Sequence, residues 1–167
     1  MLLADPSADS RRAATHLMID AARQAGCRTI IQSSWKELDD LATPDTVYRL
    51  DRAPHSVLFS KCAAIVHHGG AGTTHAASRA GVPSIIVAHV SDQLSWARLM
   101  RDRGLAPGPL QRRSVTAPKL AASIRKVLGD QAMRERAVQV GKKMAQEDGV
   151  RRAIEPVEGR YGGGSAA

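Results

Sequence analysis

The chain has 167 residues, 43% of them apolar and only 3% aromatic, with a net charge of +8. That length suits a single domain with a real core. No stretch approaches the ~20 apolar residues of a membrane span, and the first residues carry no leader pattern of a basic start followed by a long apolar run.

The charge is unevenly placed. Residues 98–152 hold fourteen Lys/Arg against five Asp/Glu, whereas residues 1–97 balance at nine each. A charge run of this kind reads first as a solvated helix face. Its sharper reading is peripheral contact with an anionic membrane surface through 98–152. Nucleic acid is not expected as a partner, because aromatics for stacking are scarce and no binding motif is present. Cys27 and Cys62 lie in apolar contexts without metal-ligand spacing, which predicts buried free thiols in a reducing cytoplasm.

In chain order, Ala13, Leu17, Ala21 and Ala25 recur at a spacing near four and predict an amphipathic helix over 8–25. Ser7 or Asp9 is its candidate cap and Gly26 its stop. A strand is expected over Cys27–Gln32, then a second over Val47–Leu50 after a polar loop. Ala53-Pro-His-Ser-Val-Leu-Phe59 starts with a proline-fixed turn and should make one helical turn. The third strand, Ala63–His67, is a continuous apolar run suited to a sheet buried on both faces. A helix should follow over Thr73–Ala80, capped by Thr73 and stopped at Gly81. Ser84–Ala88 is the fourth strand, and Asp92 is placed to cap a helix from Gln93 to Arg103. Residues 107–114 read as loop, and helices are expected over 117–128 and 131–146. The Gly/Ser-rich end should be disordered, which divides the chain into a folded part, 1–155, and a tail, 156–167. Alternating strands and helices predict an α/β fold of Rossmann type, a doubly wound parallel sheet with helices on both faces.

The turn His67-His-Gly-Gly-Ala-Gly-Thr-Thr74 joins the third strand to its helix. Helix-initial N–H groups have no intrahelical partner, and the helix dipole adds partial positive charge there. Glycines let a phosphate approach the backbone without a Cβ in the way. Gly69–Thr74 is therefore expected to cradle a phosphate or diphosphate. As neighbours at a strand end, His67 and His68 should point to opposite sides. A P-loop is excluded, since no Gly-Lys-Ser/Thr follows the turn. A dinucleotide fingerprint finds its first half in Gly70-Ala-Gly72, but His75 stands at the third glycine position. A metal site of His67, His68 and His75 has no recognised spacing.

The stretch HHGGAGTTHAASRAGVPSIIV, followed by SDQLSWARLM, resembles the signature of nucleotide-sugar glycosyltransferases of the GT-B fold. The likeness is nearest to sterol glucosyltransferases and to bacterial glycosyltransferases of glycopeptide and macrolide pathways. It is strong over Ala53–Gly104 and weaker over Ser7–Gln146. The resemblance implies the donor-binding, C-terminal half of a two-domain enzyme that takes a UDP- or dTDP-hexose as co-substrate and needs no metal. It also implies that His68, Gly70, Ala71, Gly72 and Thr73 hold the diphosphate, and that Asp92 and Gln93 bond the sugar hydroxyls. Ala53 and His55 would face the nucleoside. Asp92 as a plain cap and His55 as a loop-packing ring remain alternatives, and Trp96 reads as helix packing.

There are departures from the family pattern. Arg52 stands where plant-type members place a base-stacking Trp, which leaves Arg52 or Trp35 to stack. Ala76 stands where they place a ribose-binding Glu. MLLADPSADS resembles the loop after the family's first strand. The chain is thus expected to lack that strand, the acceptor domain and the catalytic base, and to require an acceptor-binding N-terminal domain or subunit for transfer.

Overall fold

The computed structural model describes residues 8–32, 43–149, 152 and 154–156. Helix α1, Ala8–Ala25, ends where Gly26 takes φ +69 and turns the chain into β1, Thr29–Gln32. β2, Val47–Leu50, runs parallel to β1, with Thr29 opposite Val47 and Gln32 opposite Leu50. The proline-led segment makes one helical turn, α2 (His55–Leu58), and a 3-10 turn over Phe59–Lys61. β3, Ile65–His67, leads into α3, Ala71–Arg79, and β4, Ser84–Ala88, leads into α4, Ser91–Asp102. β5, Leu110–Gln111, precedes α5, Ala117–Gly129, and α6, Gln131–Ala145.

Among the described residues every strand pair is parallel, in two sheets: β1-β2, and β3-β4-β5. β4 shows why helices cover both faces. Its Ile85 and Val87 pack with Ala21 of α1 and with Leu120, Ala121 and Ile124 of α5. Ile86, one residue out of phase, packs instead with Ala97 and Met100 of α4 and Ala137 of α6. Alternate side chains of one strand thus feed two cores, the signature of a doubly wound sheet.

Several boundaries differ from the sequence expectation. β1 and β3 each start two residues late, because the residues before them have no partner strand. β5 was read as loop; two residues flanked by Pro109 and a basic turn carry no periodicity, and they become a strand only through pairing with β4. The side-chain caps expected for α3 and α4 do not form, and the candidate Ser7 for α1 lies outside the described residues. α3 begins at Ala71 with Gly70 as N-cap, and α4 begins at Ser91 with Val90 as N-cap, so Thr73 and Asp92 lie inside the first turns. Cys27 and Cys62 are free but only half-buried, not enclosed. The tail expected over 156–167 falls outside the described residues from 157 onward, as does Trp35.

Candidate functional site

β3 is buried at both ends, with Ile65 7% and His67 3% exposed. It delivers the chain to the turn at a fixed position. His67 turns inward, and its Nδ1 accepts a hydrogen bond from the N–H of Gly69 at 3.1 Å. That bond assigns the proton to Nε2, which is buried without an acceptor. Burial, reinforced by the neighbouring His68, pushes the His67 pKa down to about 4. His68 turns the other way and is half-exposed, as the strand alternation requires. Its pKa is lowered by burial and held up in part by the Asp92 carboxylate.

Gly69 has φ +90, and a Cβ there would lie 2.7 Å from Ile86 Cγ2 and 3.0 Å from the Gln93 carbonyl oxygen. Only glycine lets the two helix starts, α3 and α4, come this close. A methyl on Gly70 would overlap the His68 imidazole, whereas a methyl on Gly72 would meet no protein atom. Gly72 therefore borders open space at the head of α3. Thr74 donates from Oγ1 to the Gly70 carbonyl at 3.0 Å, which tightens the turn. The N–H groups of Ala71, Gly72 and Thr73 have no intrahelical carbonyl to reach. Together they form a patch of donors at the positive end of the helix dipole.

α4 contributes the opposite wall. Gln93 accepts from the His89 N–H through Oε1 at 2.8 Å, which fixes the carboxamide and leaves its NH2 to donate elsewhere. Asp92 is exposed beside it. The His89 ring stands edge-on to His68, with centroids 6.4 Å apart and planes at 87°. Burial, and then the Arg112 guanidinium, lowers the His89 pKa.

A cleft of about 1020 Å³ opens beside the turn. Beyond the strand C-termini its mouth is lined by Gln32, Asp51, Arg52, His55, His68 and Thr73. Such a crevice is where ligands bind in open α/β sheets. His55 stacks on Phe59 with centroids 4.4 Å apart. The Ala53 carbonyl accepts from Gln32 Nε2 at 3.0 Å, which ties the loop to the end of β1.

The structure thus brings the turn, His68, Asp92 and Gln93 into one corner, with Ala53 and His55 on the loop across the cleft mouth. Trp96 is 37% exposed on α4 rather than packed away. Among the described residues no group of three His, Cys, Asp or Glu could hold a metal, and His67, His68 and His75 do not converge. The sequence reading passed over His89 and Gln32. His89 directly follows β4, as His68 follows β3, and Gln32 is the last residue of β1. Among the described residues no helix is long and apolar enough to cross a membrane.

Residues 16–153 match the family described as the C-terminal domain of erythromycin biosynthesis protein CIII-like proteins. The chain is 38% identical over 141 residues to sterol 3-beta-glucosyltransferase UGT80A2 of Arabidopsis thaliana, covering 84% of this chain and 22% of that protein. It is 40% identical over 117 residues to O-mycaminosyltylonolide 6-deoxyallosyltransferase of Streptomyces fradiae, covering 70% of this chain and 28% of that one. The match to a second Arabidopsis sterol 3-beta-glucosyltransferase covers 24% of that protein, so the chain spans only a fraction of these relatives. Among solved structures, glycosyltransferase VinC in complex with dTDP superposes with a TM-score of 0.70 at 26% identity, over 83% of this chain and 36% of that one. The glycosyltransferase of kitacinnamycin superposes at 0.73 with 19% identity, over 86% and 38%, and carries the fold alone.

Proposed function

The chain belongs to the EryCIII-like C-terminal domain family of GT-B glycosyltransferases, and from that premise we propose that it is a donor-binding half that holds a UDP- or dTDP-hexose. The observation that carries this reading is the contact of Gly69 with Gln93, which sets the donor patch of α3 against the start of α4. One extended molecule then lies with its diphosphate on Ala71, Gly72 and Thr73 and its hexose on Asp92 and Gln93. Nucleoside contact falls to Ala53 and His55 across the cleft mouth.

The chemistry follows from charge. As the bond from the anomeric carbon to the diphosphate breaks, negative charge grows on the leaving group. Fixed N–H groups and the helix dipole stabilise it without reorganising. His68, made less basic by burial, adds a neutral donor that gains a proton more readily as the phosphate charge develops. The acceptor hydroxyl, a sterol, lipid or secondary metabolite, and the base that deprotonates it belong to an acceptor-binding N-terminal domain or subunit. Transfer therefore needs that partner. Residues 1–155 form the donor unit in this reading, working at or near an anionic membrane through 98–152.

Isothermal titration with UDP, dTDP, UDP-glucose and NAD tests the proposal. Saturable binding of a nucleoside diphosphate or its sugar, with NAD weaker, is the expected result. Preference for NAD, or binding unaffected by Asp92→Ala when UDP-glucose is compared with UDP, overturns it.

A further inference from the structure

The basic run of residues 98–152 does not form one surface. Helices α1 and α5 pack on one side of β4 with Ile85 and Val87, whereas α4 and α6 pack on the other with Ile86. Among the described residues α1 and α5 contribute none of the large hydrophobic side chains left exposed. α4 contributes Trp96 and Leu99, its N-cap Val90 is exposed as well, and α6 contributes Val138.

The cations divide in the same sense. On α5, Lys119 and Arg125 donate to the carbonyls of Ser114 at 3.3 Å and Gln24 at 2.7 Å. On the other side Arg98, Arg103, Lys142 and Lys143 are exposed. Among the described residues these four make no ion pair or side-chain hydrogen bond. Against them stand Asp92, at the donor corner, and Glu135, because Arg101 neutralises Asp102 at 2.8 Å.

Helical spacing gathers the groups of α4. Asp92, Trp96, Leu99 and Arg103 follow one another at four, three and four residues, so they lie along one face, with Arg98 beside Leu99. Exposed apolar side chains clustered in this way mark a contact surface. Tryptophan and leucine interleaved with arginine are the composition of a helix that beds into a lipid headgroup layer. Such a layer answers both classes of group at once, since its acyl boundary takes the apolar side chains and its phosphates take the cations.

We propose that α4 docks on an anionic bilayer through Val90, Trp96 and Leu99, with Arg98 and Arg103 on lipid phosphates, so that the donor corner meets acceptors resident in that bilayer. Trp96 is three residues after Gln93, about 5 Å along the helix. Docking therefore holds the Asp92 and Gln93 pair within one turn of the lipid surface. The acceptor class narrows accordingly, to a hydroxyl carried by a membrane lipid rather than one on a freely dissolved metabolite. This inference rests on the donor-half reading, which supplies the sugar.

The test is co-sedimentation with vesicles of phosphatidylcholine alone, and of phosphatidylcholine and phosphatidylglycerol in equal parts, with tryptophan emission read on the same samples. The chain is expected to bind the mixed vesicles and not the neutral ones, with its emission shifting to the blue. Trp96→Phe should remove that shift. Arg98→Gln with Arg103→Gln should weaken binding roughly thirtyfold, the factor for two cations at a charged lipid surface. The same charge removed from α5, by Lys119→Gln with Lys126→Gln, should change binding little. No sedimentation, binding that ignores phosphatidylglycerol, a blue shift that survives Trp96→Phe, or equal losses from the two double variants overturns the proposal. So does a dimer in light scattering that Leu99→Glu dissolves, because a second copy then covers the face. UDP titrated into the same samples separates the two readings. UDP binding without sedimentation removes the docking face and leaves the donor site. Sedimentation without UDP binding removes the donor-half reading and, with it, the bilayer acceptor.

Discussion

All five residues of β4, Ser84 to Ala88, are buried, whereas in β2 only Val47 is buried and Tyr48 is 65% exposed. The sheet β3-β4-β5 draws on two cores at once and carries the glycine turn and the head of α4. The sheet β1-β2 rests on a small cluster of Ile19, Val47 and Ile31, and ends in the loop of Ala53 and His55. The difference separates two tasks. In the proposed reading a diphosphate needs donors on a fixed backbone, and the turn that would supply them sits on the best-packed strands. The loop proposed to face the nucleoside has the thinner support, held by side-chain bonds such as Gln32 to Ala53.

The sharpest way to break this comparison is to remove matched side chains from the two sheets. Ile85→Ala, at a fully buried site, should cost about 4 kcal/mol in urea unfolding. Tyr48→Ala, at an exposed site, should stay within about 0.5 kcal/mol. Equal losses would mean that the two sheets are equally supported.

The next effect is acid sensitivity at the base of the turn. His67 falls from the ordinary 6.5 to about 4 on folding, so the unfolded chain binds the proton more readily. Stability from this residue is intact above the ordinary histidine pKa and is lost as pH falls toward the folded one. The loss amounts to roughly 3 kcal/mol. His67→Gln should flatten that part of the pH–stability curve. Residues 27–54, which hold β1 and β2, contain no histidine.

A smaller effect belongs to the ligand. His68→Ala should weaken UDP binding by about 2 kcal/mol, the scale of a hydrogen bond to a charged group, while leaving thermal unfolding nearly unchanged. Equal binding by variant and parent removes His68 from the diphosphate site. The smallest effect is expected at the thin sheet: Gln32→Ala should cost about 1 kcal/mol of stability. It should also reduce the discrimination between UDP and dTDP more than it reduces diphosphate affinity. A uniform loss would show that the Ala53 loop does not read the nucleoside.

Much of this corner is legible in the chain itself. Helix stops at Gly26, Gly81 and Gly104, the bounds of Val47–Leu50 and Ser84–Ala88, and the glycine turn after β3 all arise from local signals. A glycine after a periodic run, or a buried β-branched run, constrains its own few residues whatever surrounds it. The misreadings fall where local signals mislead. Thr73 and Asp92 are good cap residues by type, but the backbone enters each helix earlier, at Ala71 and at Ser91. His89 and Gln32 carry no motif, and their partners lie four and twenty-one residues away.

By itself the sequence determined the types of most elements and the donor-rich turn, because each depends on residues within one or two turns of chain. Only the tertiary structure decided the rest: that β5 is a strand, and that His67 is sealed beneath the turn with its Nε2 unanswered. Those features depend on which backbone edges meet across long sequence separations, and side-chain periodicity carries no record of that.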